Sequence, residues 1–243
     1  MKPQTFFKRH ELKFVINNEL KEIIINTINP YMEIDKYKKT TIKNIYFDTD
    51  DYLLIRRSID KPIYKEKLRI RTYVNQLNEN NTFVELKKKY NHVVYKRRLE
   101  INEKIAMDWL TGKIDCPYDT QVAKEIDYFY KLYKGLKPLV FLSYDREAYY
   151  EKNGGDLRIT FDDNILFRDQ NINLSEEPFV TAVLENNQVI MEIKTTSSLP
   201  IWIVDILSKH HIYKTSFSKY GTIYKNIIFN KIKNNYLDEK ETA

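Results

Sequence analysis

Residues 65–74 read KEKLRIRTYV, and apolar and charged side chains alternate along this stretch. Leu68 and Ile70 fall on one side, whereas Arg69 and Arg71 fall on the other. Alternation with a period of two residues is typical of a β-strand whose two faces meet different surroundings. The stretch therefore predicts a strand with one buried face and one densely cationic face.

Similar alternation recurs along much of the chain and predicts a set of about eight strands. The further predicted strands lie at residues 6–16, 41–47, 82–90, 93–101, 137–150, 156–162, 179–184 and 188–196. The last two resemble a hairpin around Asn186 and Asn187, a favourable turn pair. Because about eight strands close well into a small barrel, the pattern is compatible with a barrel.

Helices are predicted between the strands from capping residues, helix stops and the helical spacing of apolar residues. They cover residues 18–29, 102–110, 120–134, 199–209 and 218–233. No Pro/Gly/Ser linker or solenoid repeat divides the sequence. We therefore expect one α+β domain over residues 1–233, followed by a polar, disordered tail over residues 234–243.

Composition narrows the possible functions. The formal net charge of +6 favours anionic partners, whether nucleic acid, acidic lipid or phosphorylated small molecules. The scarcity of glycine, with 5 residues, argues against a glycine-rich phosphate loop, and the single cysteine, Cys116, excludes an intramolecular disulfide and a cysteine-based zinc cluster. Neither a G-x-S-x-G nor an H-E-x-x-H motif is present. No apolar run reaches the length of a membrane span and no signal peptide is recognisable, so the expected location is cytoplasmic.

The charged strand faces have two explanations. An antiparallel sheet with one solvated side produces the same alternation, and the pattern alone favours that interpretation. However, Arg69 and Arg71 repel each other on one face, and a polyanion between them would remove that repulsion. Interleaved carboxylates suggest a hard divalent cation beside the phosphate, because Mg²⁺ and Mn²⁺ prefer oxygen ligands. These carboxylates are Glu11, Glu85, Glu100, Asp162 and Glu192.

A series of short segments resembles a known family. Residues 9–14, RHELKF, resemble the opening strand of the VTC domain, the polyphosphate polymerase domain of the vacuolar transporter chaperone complex. That domain belongs to the CYTH-like, or triphosphate tunnel metalloenzyme, superfamily. Further similar segments follow in the family's order: IYFD at 45–48, LRIRTY at 68–73, FVELK at 83–87, YDR at 144–146, LRITFD at 157–162, EIK at 192–194 and FSKY at 217–220. The resemblance covers residues 6–232.

The resemblance implies a fold and a reaction. The fold would be a closed eight-stranded antiparallel β-barrel, or triphosphate tunnel, with flanking helices. Inside it, ATP would donate its γ-phosphate to a growing polyphosphate chain, with Mn²⁺ or Mg²⁺ as cofactor. The implied catalytic residues are Lys13, Arg69, Arg71, Lys87, Arg146, Arg158 and Glu192. Further candidate phosphate contacts are Arg9, Lys89, Lys96, Arg98, Tyr144, Lys194, Ser218 and Lys219. The metal would be bound by Glu192, with Glu11 and Glu85 as further candidates.

Two other functions remain open at this stage. A triphosphatase needs the same phosphate clamp, with water in place of the chain end as acceptor. A non-catalytic module could bind polyphosphate through the same side chains. The expected partners are ATP or another nucleoside triphosphate and polyphosphate, and no nucleic acid. The sequence contains neither the SPX domain nor the membrane spans of the eukaryotic polymerase, so we expect a stand-alone form, with a membrane-protein partner as an open possibility.

Overall fold

One antiparallel sheet dominates the protein. The computed structural model describes residues 10–74, 81–91, 93–174 and 180–234. The strands are β1 His10–Asn17, β2 Met32–Asp48, β3 Tyr64–Val74, β4 Asn81–Tyr90, β5 Val93–Glu100, β6 Lys137–Glu151, β7 Arg158–Arg168, β8 Thr181–Ala182 and β9 Gln188–Thr195. Their order in the described part of the sheet is β1-β9-β7-β6-β2-β3-β4-β5, and β8 pairs with β7.

The sheet is not closed, so the prediction of a closed eight-stranded barrel is wrong on this point. Strands β1 and β5 are its two edges, and no ladder joins them within the described residues. The edge of β1 that faces away from β9 contacts the segment before the last helix, where the Thr215 amide donates to the Lys13 carbonyl at 2.7 Å. The two halves of the sheet nevertheless meet at this segment: Lys13 of β1 donates to the Phe217 carbonyl at 3.2 Å, and Lys67 of β3 donates to the Ser218 hydroxyl at 3.4 Å.

Three strand predictions differ from the structure. Strand β7 continues to Arg168, beyond the predicted end at residue 162. Strand β2 starts at Met32, well before the predicted residue 41, because the polar run that precedes Thr41 hides the alternation. The hairpin predicted around Asn186 and Asn187 is wrong: β9 lies between β1 and β7, whereas the short β8 pairs with β7. Phe179, in the first predicted strand of that hairpin, lies outside the described residues.

The predicted helices are present, and the structure contains one further helix, α2, that was not predicted. The helices are α1 Asn18–Ile28, α2 Leu53–Ile59, α3 Glu103–Leu110, α4 Gln121–Leu132, α5 Ile201–Lys209 and α6 Lys219–Ile223. A π-helical turn, Tyr224–Ile228, follows α6, and helix continues to residue 234. The side chains of Asn17 and Asn102 accept hydrogen bonds from the first turns of α1 and α3, as predicted, and Thr120 does the same for α4. None of the helices in the described ranges has the length and apolar character needed to span a bilayer.

Helices cover the outer face of the sheet and bury its apolar side chains. One cluster joins β3 and β4 to α3 and α4, and a second joins β1, β7 and β9 to α1 and α5. Leu68 and Ile70 are fully buried in the first cluster. Because each buried Leu or Ile contributes about 1.5–3 kcal/mol, these clusters stabilise the sheet from outside. A third cluster packs α2 and α6 against one end of the opposite, inner face, and the rest of that face carries the charged side chains.

Candidate anion-binding site

Cross-strand register brings the predicted site residues onto one inner face. Arg69 of β3 lies opposite Glu85 of β4, which lies opposite Arg98 of β5. On the other half of the sheet, side chains that share this face are contributed by β1, β9, β7 and β6. The inner-face candidates are Glu11, Lys13, Arg69, Arg71, Glu85, Lys87, Lys89, Lys96, Arg98, Tyr144, Arg146, Arg158, Glu192 and Lys194, and Ser218 and Lys219 approach the same face from the start of α6. Arg9 lies outside the described residues.

Glu85 is the centre of one group of cations. It is 1% exposed. Arg69 donates to its Oε2 at 2.9 and 2.6 Å, Arg98 donates to its Oε1 at 2.7 Å, and Lys96 lies 2.6 Å away. Burial opposes ionisation of Glu85, but Arg69, Arg71 and Lys96 outweigh it and hold its pKa far below the usual range. With its oxygens occupied, Glu85 fits the role of positioning these cations better than that of a metal ligand.

Lys96 illustrates how crowded this group is. Burial, together with the charges of Arg98 and Arg69, lowers the pKa of Lys96 to about 8. The nearby Glu85 works in the opposite direction but does not prevent the shift. The carboxylate is shared with two arginines, which bind it through planar guanidinium groups. The cations on this side of the site therefore exceed the anions that hold them.

Asp162 is the centre of a second group. Its carboxylate has no exposed surface and accepts bidentate hydrogen bonds from Arg146 at 2.6 and 2.7 Å. Lys219 of α6 donates to the same carboxylate at 2.5 Å. Burial would raise the pKa of Asp162, but Lys219 and Arg146 lower it to about 2. Asp162 was not predicted as a site residue, although it is among the carboxylates that alternate with the cations.

Glu11 and Glu192 converge on Lys13. The Lys13 ammonium lies 3.2 Å from Glu11 and 3.1 Å from Glu192, and Lys194 also pairs with Glu192. Burial disfavours the charged forms of both Lys13 and Glu192. The pKa of Glu192 is nevertheless well below its usual range because of Lys194 and Lys13, and that of Lys13 is raised by Glu192 and Glu11. The two carboxylates can thus share a single cation.

This carboxylate pair fits a divalent metal better than Glu85 does. Mg²⁺ is often held by one or two carboxylates together with substrate phosphates. Within the described ranges no cluster of three or more His, Cys, Asp or Glu residues is arranged to hold a metal. Glu11 and Glu192 would therefore supply only part of a coordination shell. Phosphate oxygens and water would complete it, and the metal would displace the Lys13 ammonium.

Two buried donors face the inner side without an acceptor. Arg158 Nε and Thr160 Oγ1 have no hydrogen-bond partner in the described part of the chain. The Arg158 guanidinium lies 4.8 Å from the centroid of the Tyr150 ring, and Arg158 stands opposite Lys194 in the ladder between β7 and β9. Leaving a buried donor unsatisfied costs about 1–3 kcal/mol. A ligand with several oxygen acceptors would satisfy both groups.

Several residues that position the arginines were not predicted. Arg71 donates to Asn44 Oδ1 at 2.8 Å and to the hydroxyl of Tyr144 at 3.1 Å, and Asn44 donates in turn to the Leu142 carbonyl. Tyr46 accepts from Arg69 at 3.0 Å. Burial opposes ionisation of Tyr46, but the arginine charges lower its pKa to about 8. The alternation over residues 41–47 already places Asn44 and Tyr46 on the face opposite Ile45, so a signal was present.

Lys67 is another inner-face cation without a predicted role. It alternates with Arg69 and Arg71 and donates to the hydroxyl of Ser218 at 3.4 Å. Burial lowers the pKa of Lys67 to about 8, and Lys87 contributes to the decrease.

Comparisons with known proteins agree with the large antiparallel sheet and its flanking helices. A candidate adenylate cyclase from Bacillus halodurans has the same fold, with a TM-score of 0.54 and 17% identity over 87% of this chain and 95% of that one. A candidate adenylyl cyclase from Hippeastrum, described as having a dominant triphosphatase activity, gives a TM-score of 0.53 and 17% identity over 88% of this chain and 94% of that one. These two likenesses show the fold alone, a large antiparallel sheet with flanking helices.

The chain belongs to the VTC domain family, whose model matches residues 8–228. Vacuolar transporter chaperone complex subunit 4 from Schizosaccharomyces pombe is 28% identical over 177 residues. The match covers 64% of this chain and 24% of that protein, so the chain spans about a quarter of the length of this relative.

Proposed function

We propose that the protein is a metal-dependent polyphosphate polymerase that transfers the γ-phosphate of ATP to the end of a polyphosphate chain. The observation that carries the proposal is the cationic inner face, on which the buried Nε of Arg158 has no acceptor within the described residues. A relative of the chain is a subunit of the vacuolar transporter chaperone complex, and the family resemblance supplies the polymerase chemistry.

The reaction needs no protein nucleophile. A terminal oxygen of the acceptor chain would form a bond to the γ-phosphorus, while the bond from that phosphorus to the β-bridging oxygen breaks and ADP leaves with the electron pair. The acceptor oxygen is already ionised, so no proton has to be removed. Phosphoryl transfer of this kind depends on positioning and on stabilisation of charge.

The side chains divide this work. Arg69, Arg71, Arg146 and Arg158 would bind the oxygens of the transferring phosphate, since guanidinium groups bind phosphate bidentately. Carboxylate partners hold two of these arginines in place before the ligand arrives, which is the condition for efficient electrostatic stabilisation. Glu192 would hold the divalent metal, whose role when bound is to neutralise charge on the β- and γ-phosphate oxygens.

The test is chain growth by the purified protein. Incubation with ATP, Mn²⁺ and a short polyphosphate primer should give long polyphosphate, detected by gel electrophoresis, together with ADP. Lys87→Gln on the inner face should lower the rate by about 10²-fold, which is typical for loss of one charge-stabilising group. Lys88→Gln is the matched control, because Lys88 faces the outer side beside Glu66 at 3.5 Å. Absence of polymer with the wild-type protein would refute the proposal.

The second candidate is a triphosphatase. The dominant triphosphatase activity described for the Hippeastrum protein, which shares this fold, is the reason to test it. Release of orthophosphate from ATP or tripolyphosphate without polymer would select this function. Binding of tripolyphosphate without either product would leave a non-catalytic binding module.

A further inference from the structure

Exposed apolar side chains gather where β3, β4 and β5 end together. Tyr64 of β3 is opposite Tyr90 of β4, and Tyr90 is opposite Val93 of β5, so the three residues share the outer face. Ile63 lies in the loop before Tyr64 and is 70% exposed. The Asn91 amide donates to the Ile63 carbonyl at 2.9 Å and joins this loop to the turn between β4 and β5. We call the following residues the apolar tip: Ile63, Tyr64, Tyr90, Val93 and Val94.

The apolar tip is exposed on both faces of the strands. Val93 and Val94 are consecutive residues of β5, so their side chains point to opposite faces, and both are exposed. Tyr90 is 56% exposed on the outer face. A flat protein surface could contact only one of these faces. A turn that is apolar on both faces is better suited to a soft phase that can close around it.

The tyrosines of the apolar tip suit a boundary between an apolar phase and water. Tyr64 donates its hydroxyl to Glu66, so its polar end is turned toward the protein while part of its ring remains exposed. A tyrosine ring combines an apolar body with a polar end. Tyrosine is for this reason enriched where a lipid bilayer meets water.

Lysines flank the apolar tip. Lys61 lies in the loop that contains Ile63, and Lys65 and Lys89 are opposite each other on β3 and β4. Burial, together with the charges of Lys89, Lys61 and Lys13, lowers the pKa of Lys65. Anionic headgroups beside these lysines would reduce their mutual repulsion.

Two carboxylates accompany these lysines in the sequence. Asp60, at the end of α2, is exposed. Glu66 is buried and binds the Tyr133 hydroxyl at 2.7 Å and Lys88 at 3.5 Å, so it does not offset the lysines at the surface. The exposed charge around the apolar tip is therefore positive, which is complementary to an anionic lipid surface.

We propose that the apolar tip binds the surface of an anionic lipid bilayer, with its aromatic and aliphatic side chains between the headgroups and the flanking lysines against the lipid phosphates. Interfacial binding of this kind becomes stronger with the apolar area that enters the interface and with electrostatic attraction. This inference does not depend on the proposed function. The competing occupant is a second copy of the chain, and the test distinguishes the two.

Co-sedimentation of the purified chain with lipid vesicles measures the partition coefficient. Phosphatidylcholine vesicles that contain about one third phosphatidylglycerol should bind the protein more strongly than vesicles of phosphatidylcholine alone. Ile63→Ser/Tyr90→Ser leaves the charge unchanged and should lower the partition coefficient by about tenfold, because two large apolar side chains no longer enter the interface. Ile201→Ser/Tyr213→Ser is the matched control: these residues are 78% and 77% exposed in α5 and the segment after it, and the change should keep the wild-type value.

A second pair of variants tests the electrostatic part. Lys61→Gln should lower the partition coefficient by about fivefold, which is the usual contribution of one lysine at an anionic surface. Lys104→Gln changes the net charge by the same amount on α3, where the side chain is 85% exposed, and should have little effect.

Each remaining outcome counts against the proposal. Absence of binding to the anionic vesicles would refute it. An unchanged partition coefficient in Ile63→Ser/Tyr90→Ser, or an equal decrease in the Ile201→Ser/Tyr213→Ser control, would show that lipid binds elsewhere on the basic surface. A wild-type dimer in sedimentation equilibrium that Ile63→Ser/Tyr90→Ser converts to a monomer would assign the tip to a second copy. If thermal unfolding shows that the double variant does not fold, the single variants decide, with an expected decrease of about threefold each.

Discussion

Replacing Asp162 with Asn should destabilise the protein and increase the stabilisation that phosphate provides. Asp162 is fully buried between Arg146 and Lys219. Although burial opposes ionisation, these cations lower its pKa from the ordinary 3.8 to about 2. The difference corresponds to roughly 2.5 kcal/mol in favour of the ionised carboxylate. Asn resembles the protonated acid, so the variant should lose about that amount, with about 3–5 kcal/mol as the upper range for a buried cation left unpaired.

The pH dependence follows from the direction of this shift. Because the pKa of Asp162 is lower in the folded protein than in the unfolded chain, its contribution is complete above the unfolded value of 3.8. It is lost as the pH falls through about 2. Wild type and Asp162→Asn should therefore differ most near neutral pH and converge in strong acid.

Thermal unfolding measures the effect. For a chain of this size, 1 kcal/mol shifts the Tm by roughly 2–4 °C, so Asp162→Asn should melt roughly 5–10 °C below wild type. Tripolyphosphate should raise the Tm of the variant more than that of wild type, because it replaces the missing negative charge. Asp163→Asn is the control: Asp163 lies on the outer face, 3.1 Å from Lys39 and 3.3 Å from Lys21. Because Lys21 keeps Glu147 and Lys39 keeps Asp145 as partners, this change should cost less than Asp162→Asn. Equal Tm values for the two variants, or an equal response to tripolyphosphate, would refute the reasoning.

Three further perturbations test other parts of the site. The affinity for tripolyphosphate should decrease as the pH rises past about 8, where Lys67 and Lys96 lose their charge, and Lys67→Arg should flatten part of this profile in calorimetric titrations. Glu192→Gln should raise the Mn²⁺ concentration needed for half-maximal turnover by roughly 10–100-fold, read from metal titrations at saturating ATP; an unchanged requirement would exclude metal binding at this position. Asp48→Ala should cost about 1–2 kcal/mol in chemical unfolding, because Asp48 caps α2 and accepts from Tyr220 at 3.1 Å. Tyr220→Phe should be non-additive with it in a double-mutant cycle.

The sequence predicts which side chains share a face much better than how the sheet ends. Side chains alternate between the two faces of a strand, so the sequence alone assigns Arg69 and Arg71 to the face opposite Leu68 and Ile70. Closure depends on a contact between residues far apart in the chain. The Thr215 bridge to Lys13 occupies the edge where a closing strand would pair, and local periodicity carries no information about it.

Helix α2 was missed for a related reason. Its backbone amides at Leu54 and Ile55 are capped by Asp48, which comes six and seven residues earlier, and not by a neighbouring Ser, Thr, Asp or Asn. The residue at the usual cap position, Tyr52, has a positive φ of 57° and offers no capping hydrogen bond. Sequence rules for helix starts examine only the adjacent residues and therefore cannot find this arrangement.

The sequence predicts which residues lie in the candidate site, but not which carboxylate contacts which cation. Alternation identified Glu85 and Glu192 as carboxylates among cations, and both were predicted metal ligands. The structure distinguishes them: Glu85 is surrounded by Arg69, Arg98 and Lys96, whereas Glu192 shares Lys13 with Glu11. Which cation faces a carboxylate depends on the register between strands, and a single strand's pattern does not contain that register.

The pairing explains how so many cations are held close together before any ligand binds. Glu85, Asp162 and Glu192 each contact at least two cations, which fixes the geometry of the arginines but leaves the inner face short of negative charge. A bound phosphate chain supplies that charge to the folded state and not to the unfolded chain. At a free concentration 100 times its Kd, such a ligand adds about 2.7 kcal/mol to the free energy of unfolding. Stabilisation by tripolyphosphate therefore reports on the site itself, independently of whether the bound phosphate goes on to a polymer or to water.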